Sequence, residues 1–343
     1  MGNSSSDNCT NVDEMVKHYY LPVMYSIIFV VGLVGNLTSL VVYIFKVRPW
    51  KSCSVIMVNL AATDLLYILT MPFFVYYYSS GDSWKLGNFM CRFIRFAYHF
   101  NLYGSILFLT CLAIFRYLVV LHPLKAIEFQ RIKWGVLACL VTWALTAAAI
   151  GPMMSIITLV EQNNKTQCPD FASNDPAQVW WYSWILAVFG YFVPLVVVCV
   201  CYAFIARELD KGPHIESPHR TRARRLTMVV IICFVICFMP FHILRALRVD
   251  TRRRPDTPCM LLHGVNATYI ISRPLASFNT VFNLILYTLA GDRFQQALQS
   301  LIQGELWRRM KTHINVLVVY KPAFNLTRPR HPTHNTEEFR RIP

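Results

Sequence analysis

Residues 21–45 read LPVMYSIIFVVGLVGNLTSLVVYIF, a stretch without one charged side chain. An α-helix rises about 1.5 Å per residue, so roughly 20 apolar residues cross a bilayer core. Leu21–Phe45 therefore reads as a membrane-spanning helix. It is too long for the apolar region of a signal peptide and should act as an uncleaved anchor. Working outward, six more such stretches follow, near 54–80, 88–120, 134–158, 180–206, 226–248 and 267–290. The expected fold is all-α, a seven-transmembrane helix bundle. Beyond it, Asp292–Gln303 carries Phe294, Leu298 and Leu301 on one face. That pattern predicts an amphipathic eighth helix at the membrane surface. The expected organisation is an extracellular N-terminus over 1–20, the bundle with its eighth helix over 21–303, and a cytoplasmic tail over 304–343.

Composition agrees with this reading. Of 343 residues, 55% are hydrophobic and only 15% are charged, less than a soluble surface of this size carries. The formal net charge is +15. The cations lie between apolar runs rather than on one polar face, which argues against a nucleic-acid polymer as partner. Lys46, Arg48 and Lys51 follow the first stretch, Lys125, Arg131 and Lys133 the third, and Arg207, Lys211, Arg220, Arg222, Arg224 and Arg225 the fifth. The positive-inside rule makes those loops cytoplasmic and the N-terminus extracellular. Asn3, Asn8, Asn164 and Asn266 stand in N-x-Ser/Thr sequons on expected outer segments and are candidate glycosylation sites. Asn36 and Asn325 share the pattern but fall in a span and in the tail.

Four of the 11 cysteines, Cys9, Cys91, Cys168 and Cys259, are expected outside. They suffice for two disulfides in three alternative pairings. The other seven, Cys53, Cys111, Cys139, Cys199, Cys201, Cys233 and Cys237, sit in or beside apolar stretches and read as small buried hydrophobes. No metal-ligand spacing and no catalytic constellation appears. The cluster Arg248, Arg252, Arg253 and Arg254 breaks the positive-inside rule. It reads as a solvated loop or as a field that draws anions.

The order and placement of several motifs resembles the rhodopsin-like (class A) G-protein-coupled receptors over residues 20–303. The motifs are Gly35-Asn36, Leu60-Ala61-Ala62-Thr63-Asp64, Cys91, Phe115-Arg116-Tyr117, Trp143, Pro194 with Tyr202, Cys237-Phe238-Met239-Pro240, and Asn283-Leu284-Ile285-Leu286-Tyr287. The resemblance implies a multi-pass plasma-membrane receptor, not an enzyme, with a heterotrimeric G protein, arrestin, a receptor kinase and membrane lipid as partners. It implies a Cys91–Cys168 disulfide, which leaves Cys9 to pair with Cys259. It implies a sodium-linked polar core of Asp64 with Asn36, Ser105, Asn279 and Asn283, so a structural Na+ is the one cofactor in view. A lone carboxylate in a span must in any case be paired or hydrated. Arg116, Tyr202, Phe238, Pro240 and Tyr287 are implied as the activation switch. Helical rise puts Arg116 roughly 37 Å from Cys91, at the opposite membrane face. Pro240 removes a helix hydrogen bond and should kink the sixth span. Phe115, Phe238 and Leu284 depart from the family's acid, tryptophan and proline. The seventh span holds no lysine, which excludes a retinal Schiff base.

Several cations lie in the expected outer halves of the spans. Arg95 and His99 are four apart on one helix face, and His242 and Arg245 are three apart beyond Pro240. Arg273 is roughly 21 Å outward of Tyr287. Such charges face the bundle interior and mark a ligand path. No carboxylate in those half-spans offsets them, although Asp170 or Asp175 of the second outer loop could pair with Arg95. The excess asks for an anionic ligand, since guanidinium forks suit carboxylate or phosphate. Tyr76, Tyr77, Tyr98, Phe100, Tyr103 and Tyr269 are candidate walls. The block His242-Ile243-Leu244-Arg245 resembles the branch related to purinergic nucleotide receptors, and longer stretches resemble its dicarboxylate receptors. That implies Arg95, His99, Arg245 and Arg273 as carboxylate binders, with His242 beside them. It also implies 2-oxoglutarate or a similar dicarboxylate as ligand and coupling to Gq/11. Extracellular nucleotides or a cysteinyl leukotriene are the alternatives, and an organic-anion transporter the distant one.

Overall fold

A computed structural model describes residues 12–162, 165–210, 218–290, 292–302 and 304. Among them, six continuous helices are long and apolar enough to cross a bilayer. They are Asp13–Phe45, Ser52–Ser79, Gly87–Leu121, Ile132–Ile156, Pro176–Leu209 and Arg224–Arg253. The seventh span is two segments, Cys259–Ser277 and Asn279–Ala290, meeting at Phe278. Pro274, inside the first segment, cannot donate a backbone hydrogen bond, and the helix breaks four residues later. Two expectations shift. The first span begins eight residues early, so Val16–Tyr20 is part of its helix rather than of the expected N-terminal segment over 1–20. The seventh begins at Cys259 rather than near 267. The chain divides after Ala297, and the helix Asp292–Ile302 crosses that division. The rest of the expected tail, Asn3, Asn8, Cys9 and Asn164 lie outside the described residues.

The bundle is built around the third span, which is buried on every side from Asn101 to Ile106. It packs against the second, fourth and fifth spans. Peripheral spans leave Val30, Val34, Leu140, Leu145, Val196 and Val200 exposed, as a lipid-facing surface requires. Small residues set the closest approaches. A Cβ on Gly135 of the fourth span would stand 2.6 Å from the Ser52 Cα, against backbone that cannot yield. Gly135→Ala should therefore force the two spans apart and destabilise the bundle by about 1–3 kcal/mol. Melting of the purified protein and surface expression would show it. Gly104→Ala, whose Cβ would meet Thr63 at an ordinary 3.7 Å, serves as the tolerated control.

Two spans change helical type where proline intervenes. A π turn, Val188–Phe192, precedes Pro194 in the fifth. Another, Cys233–Phe238, precedes Pro240 in the sixth. Proline leaves a carbonyl one turn back without its usual donor, and a π turn accommodates the mismatch. The expected irregularity at Pro240 thus takes the form of a π turn on its N-terminal side.

Between the fourth and fifth spans lies a hairpin that hydropathy does not reveal. Val160–Gln162 pairs antiparallel with Lys165–Gln167, Val160 opposite Gln167. The Trp84 amide donates to the Thr166 carbonyl at 2.7 Å. Cys168 is bonded to Cys91 at the head of the third span, as the resemblance implies. The hairpin and the disulfide carry the next residues, Asp170–Ser173, over this end of the bundle.

Candidate functional site

Arg95 and His99 sit one turn apart on the third span and are buried. The Arg95 guanidinium donates to the Cys168 carbonyl at 2.7 Å and to the Tyr78 hydroxyl at 3.2 Å. Arg273, from the seventh span, donates to the same hydroxyl at 2.5 Å. Two buried guanidiniums therefore converge on one phenol oxygen. Their charge is offset from the loop rather than from a span. Asp170 is 4% exposed and accepts a hydrogen bond from the Tyr269 hydroxyl. Burial by itself would raise its carboxyl, but Arg273, Arg95 and His99 hold it well below the usual carboxylate range. No guanidinium among the described residues comes within ion-pair distance of it, and its Oδ1 has no partner. A cavity of about 240 Å³ lies here, lined by Lys17, Tyr78, Arg95, Asp170, Arg248 and Arg273 among others.

His242 and Arg245 form a second cluster on the sixth span. Arg245 is fully buried, lies over the rings of Phe241 and Tyr103 at 5.4 and 5.8 Å, and reaches the Ser183 carbonyl at 3.4 Å. Among the described residues, its Nε and Nη1 have no hydrogen-bond partner, nor do the Tyr103 hydroxyl, the Ser183 hydroxyl and the His242 Nε2. Tyr103 lies against Gly190, where a Cβ would stand 2.4 Å from its ring. The His242 ring stacks on Tyr191 at 4.6 Å. His99 stands between the clusters, edge-on to Phe171 at 6.1 Å and 6.4 Å from Phe241.

The histidine tautomers follow from their bonds. Nδ1 of His99 meets the Arg95 carbonyl at 2.9 Å, and Nδ1 of His242 meets the Phe238 carbonyl at 2.8 Å. A carbonyl only accepts, so Nδ1 carries the hydrogen in both. The free Nε2 of His99 donates to an anion only when the ring is doubly protonated.

The basic cluster lies at the end of the sixth helix, which runs to Arg253, and not in a loop beyond it, and its members have partners within the protein. Arg248 donates to the Ser173 hydroxyl and lies over Tyr269. Arg252 donates to the carbonyls of Ala172, Ser173 and Asn174. Arg253 lies over Trp180, and Arg254 pairs with Asp250. Arg248 and Arg252 thus tie the sixth span to the loop that carries Asp170. Of the candidate walls, Tyr77 and Tyr269 line the cavity. Tyr76 is 44% exposed, and Phe100 packs against Phe96 and Trp143. Cys259 is disulfide-bonded. Asn266 lies within the helix Cys259–Ser277, and its amide donates to Asp13, which His263 also meets at 3.1 Å.

Deeper in the bundle, Asp64 accepts from Asn283 at 2.8 Å and from Asn101 at 2.9 Å. Asn101, not singled out from sequence, replaces Asn36. The latter donates to the carbonyls of Gly32 and Thr280 instead. Ser105 is reached by Asn101 at 3.5 Å, and Asn279 is buried with both side-chain polar atoms unpartnered among the described residues. The Asn279 Oδ1, orphaned among the described residues, and the Asp64 carboxylate are oxygen donors of the kind a small hard cation takes.

At the far end of the third span a cleft of about 230 Å³ is lined by Lys51, Phe115, Arg116, Tyr202 and Ile205 among others. Arg116 makes no ion pair among the described residues, and its Nε is buried without a partner. Phe238 packs edge-on to Phe234, and Tyr287 against Tyr43 and Phe294.

With this geometry in place, the likeness to known proteins is informative. Residues 35–287 match the profile of the 7 transmembrane receptor (rhodopsin family). The chain is 45% identical to 2-oxoglutarate receptor 1 of Mus musculus, over 88% of this chain and 89% of that one. It is 37% identical to purinoceptor 1 of Meleagris gallopavo, over 87% and 83%. It is also 37% identical to purinoceptor 4 of Homo sapiens, over 85% and 80%.

Proposed function

Because the chain belongs to the rhodopsin family of seven-transmembrane receptors, we propose that it is a receptor for a small dicarboxylate such as 2-oxoglutarate, signalling through a heterotrimeric G protein of the Gq/11 class. In this reading the Cys91 end faces outside and the Arg116 cleft meets the G protein. The observation that carries it is the convergence of Arg95 and Arg273 on Tyr78, with donors of Arg245 on the sixth span left unpartnered among the described residues. Two cationic clusters separated by aromatic rings suit a molecule with a carboxylate at each end. His99, between them, would sense ligand length and take up a proton when it binds. Arrestin and a receptor kinase would act at the Arg116 face, and the Asp64 core would hold a sodium ion in the resting state.

The 45% identity to a 2-oxoglutarate receptor favours this ligand. The likeness to purinoceptors keeps nucleotides as the second reading. Cells expressing the chain should raise inositol phosphate in response to 2-oxoglutarate, and should give weaker or no response to nucleotides and to leukotriene E4. A response to nucleotides alone overturns the ligand. A fall in cAMP without inositol phosphate overturns the coupling.

A further inference from the structure

The first helix of the bundle, Asp13–Phe45, is 33 residues long. At about 1.5 Å per residue that is roughly 50 Å, against about 30 Å for a hydrocarbon core. The uncharged run Leu21–Phe45 fills such a core by itself, so the charged segment 13–20 stands clear of it. Contacts on both sides of Lys17 fix this segment against the second and seventh spans. Asp13 accepts from the Asn266 amide and meets His263 Nδ1 at 3.1 Å. His18 Nδ1 meets the Tyr78 carbonyl at 2.9 Å, and the Tyr20 hydroxyl donates to the Ile271 carbonyl at 3.3 Å. The Lys17 backbone is thereby held, while its ammonium, among the described residues, bonds to Asp82 alone, at 3.4 Å. A well-made bond between charged groups closes to about 2.7–2.9 Å, so this one is loose.

Asp82 is placed by its own turn rather than by Lys17. Its φ is 58°, directly after Gly81 at 66°. Left-handed backbone disfavours most side chains, and aspartate and asparagine tolerate it best. The Asp82 amide donates to the Tyr77 carbonyl at 3.2 Å, and Lys165 donates to the Gly81 carbonyl at 3.3 Å. The carboxylate Oδ1 of Asp82 is buried without a hydrogen-bond partner among the described residues. Lys17 and Asp82 line the same cavity as Arg95 and Arg273. Their side chains are 31% and 14% exposed, whereas Arg95 and Arg273 are 2% and 4% exposed. The pair is therefore the rim of the cavity and the arginines its floor.

We propose that Lys17 is a further binding residue of this cavity: its ammonium leaves Asp82 and takes the ligand carboxylate that Arg95 and Arg273 hold. The inference rests on the dicarboxylate reading above. Arg95 and Arg273 each give an N–H to Tyr78, and a carboxylate offers about four lone-pair sites. Donors on the floor reach the inner side of such an anion, and a flexible cation on the rim reaches its solvent side. Before binding, Asp82 keeps Lys17 over the cavity, and a loose pair gives it up at little cost. Asp82 and the ligand thus compete for one ammonium. Lys17 raises the affinity and Asp82 lowers it, whereas a clasp that merely held the segment in place would give both residues the same sign.

The test measures 2-oxoglutarate affinity by calorimetry on the purified full-length chain, with melting temperature as the check on folding. Lys17→Met should weaken binding about fivefold, the size expected of a part-exposed charge pair. Asp82→Asn, which suits the left-handed backbone, should strengthen binding by about the same factor because it frees Lys17. With Asp82→Asn already in place, Lys17→Met should still weaken it. If Lys17→Met fails to fold, the Asp82→Asn result decides alone. Weaker or unchanged affinity in Asp82→Asn, or wild-type affinity in Lys17→Met, overturns the inference and leaves the ligand reading standing. A wild-type chain that binds no dicarboxylate overturns both.

Discussion

Replacing Arg273 with alanine should weaken the potency of 2-oxoglutarate by roughly 10- to 150-fold at matched surface expression. The range follows from about 1.5–3 kcal/mol for a hydrogen bond to a charged group. Arg273 is the cleaner of the two guanidiniums to remove. Its hydrogen bond within the protein is to the Tyr78 hydroxyl, whereas Arg95 also holds the Cys168 carbonyl beside the disulfide. Arg95→Ala should therefore lose potency and also loosen the loop, which a lower melting temperature would report. Tyr78→Phe separates alignment from charge, since it removes the shared oxygen and leaves both cations. Its loss should be smaller than that of Arg273→Ala. Inositol phosphate dose–response curves decide the matter, and wild-type potency in both arginine variants would remove the site from consideration.

Asp170→Asn should act in opposite directions on the empty and the occupied receptor. The carboxylate is the anion nearest to hand for Arg273 and Arg95. Without it two buried cations lose their counter-charge, and removing one partner of a buried charge cluster costs roughly 3–5 kcal/mol. The lower end applies, because no oxygen of Asp170 lies within ion-pair distance of either guanidinium. A dicarboxylate would restore what is lost, so stabilisation by ligand should be larger in the variant than in the wild type. The pH dependence has a definite sign. A carboxyl held below its ordinary value contributes stability above the ordinary carboxylate range and loses it as pH falls through the folded value. The difference in melting temperature between wild type and Asp170→Asn should thus be flat from pH 8 to about pH 5.5 and narrow in stronger acid. Equal melting at neutral pH, with equal shifts on adding ligand, would contradict the role given to Asp170.

The sequence carried the architecture well because length and hydropathy are local properties. Each of the seven spans could be seen without knowing its neighbours. Arg95 with His99 and His242 with Arg245 were legible for the same reason, since helical spacing alone puts each pair on one face. What escaped notice depends on contacts between distant segments. Tyr78, which joins two arginines from different spans, looked no different from Tyr76 and Tyr77. Lys17 belonged to the expected N-terminal segment ahead of the bundle, yet it lines the cavity and pairs with Asp82. Asn101 displaced Asn36 at Asp64 because the choice between two buried amides is set by rotation about the helix axis. Asp170 was one of two loop acids, and the hairpin and disulfide, which hydropathy does not reveal, decided between them. The outer arginines misled because charge counts say nothing of carbonyls, and Arg252 is satisfied by three of these.

The π turn before Pro240 has a bearing on how this pocket is encoded. Each residue of an α-helix advances the chain by about 100°. A π turn inserts one extra residue into that count, so the segment beyond Cys233–Phe238 is rephased against the segment before it. His242 and Arg245 are buried in the bundle, rather than turned to lipid, in that shifted phase. Deleting a single apolar residue from the turn would rotate both by roughly a quarter of a circle while leaving every buried cation of the span in the sequence. The span is thus a two-part ruler: one half keeps time with the Arg116 cleft, the other with the rings packed around His242 and Arg245, and one surplus residue sets the offset between the scales.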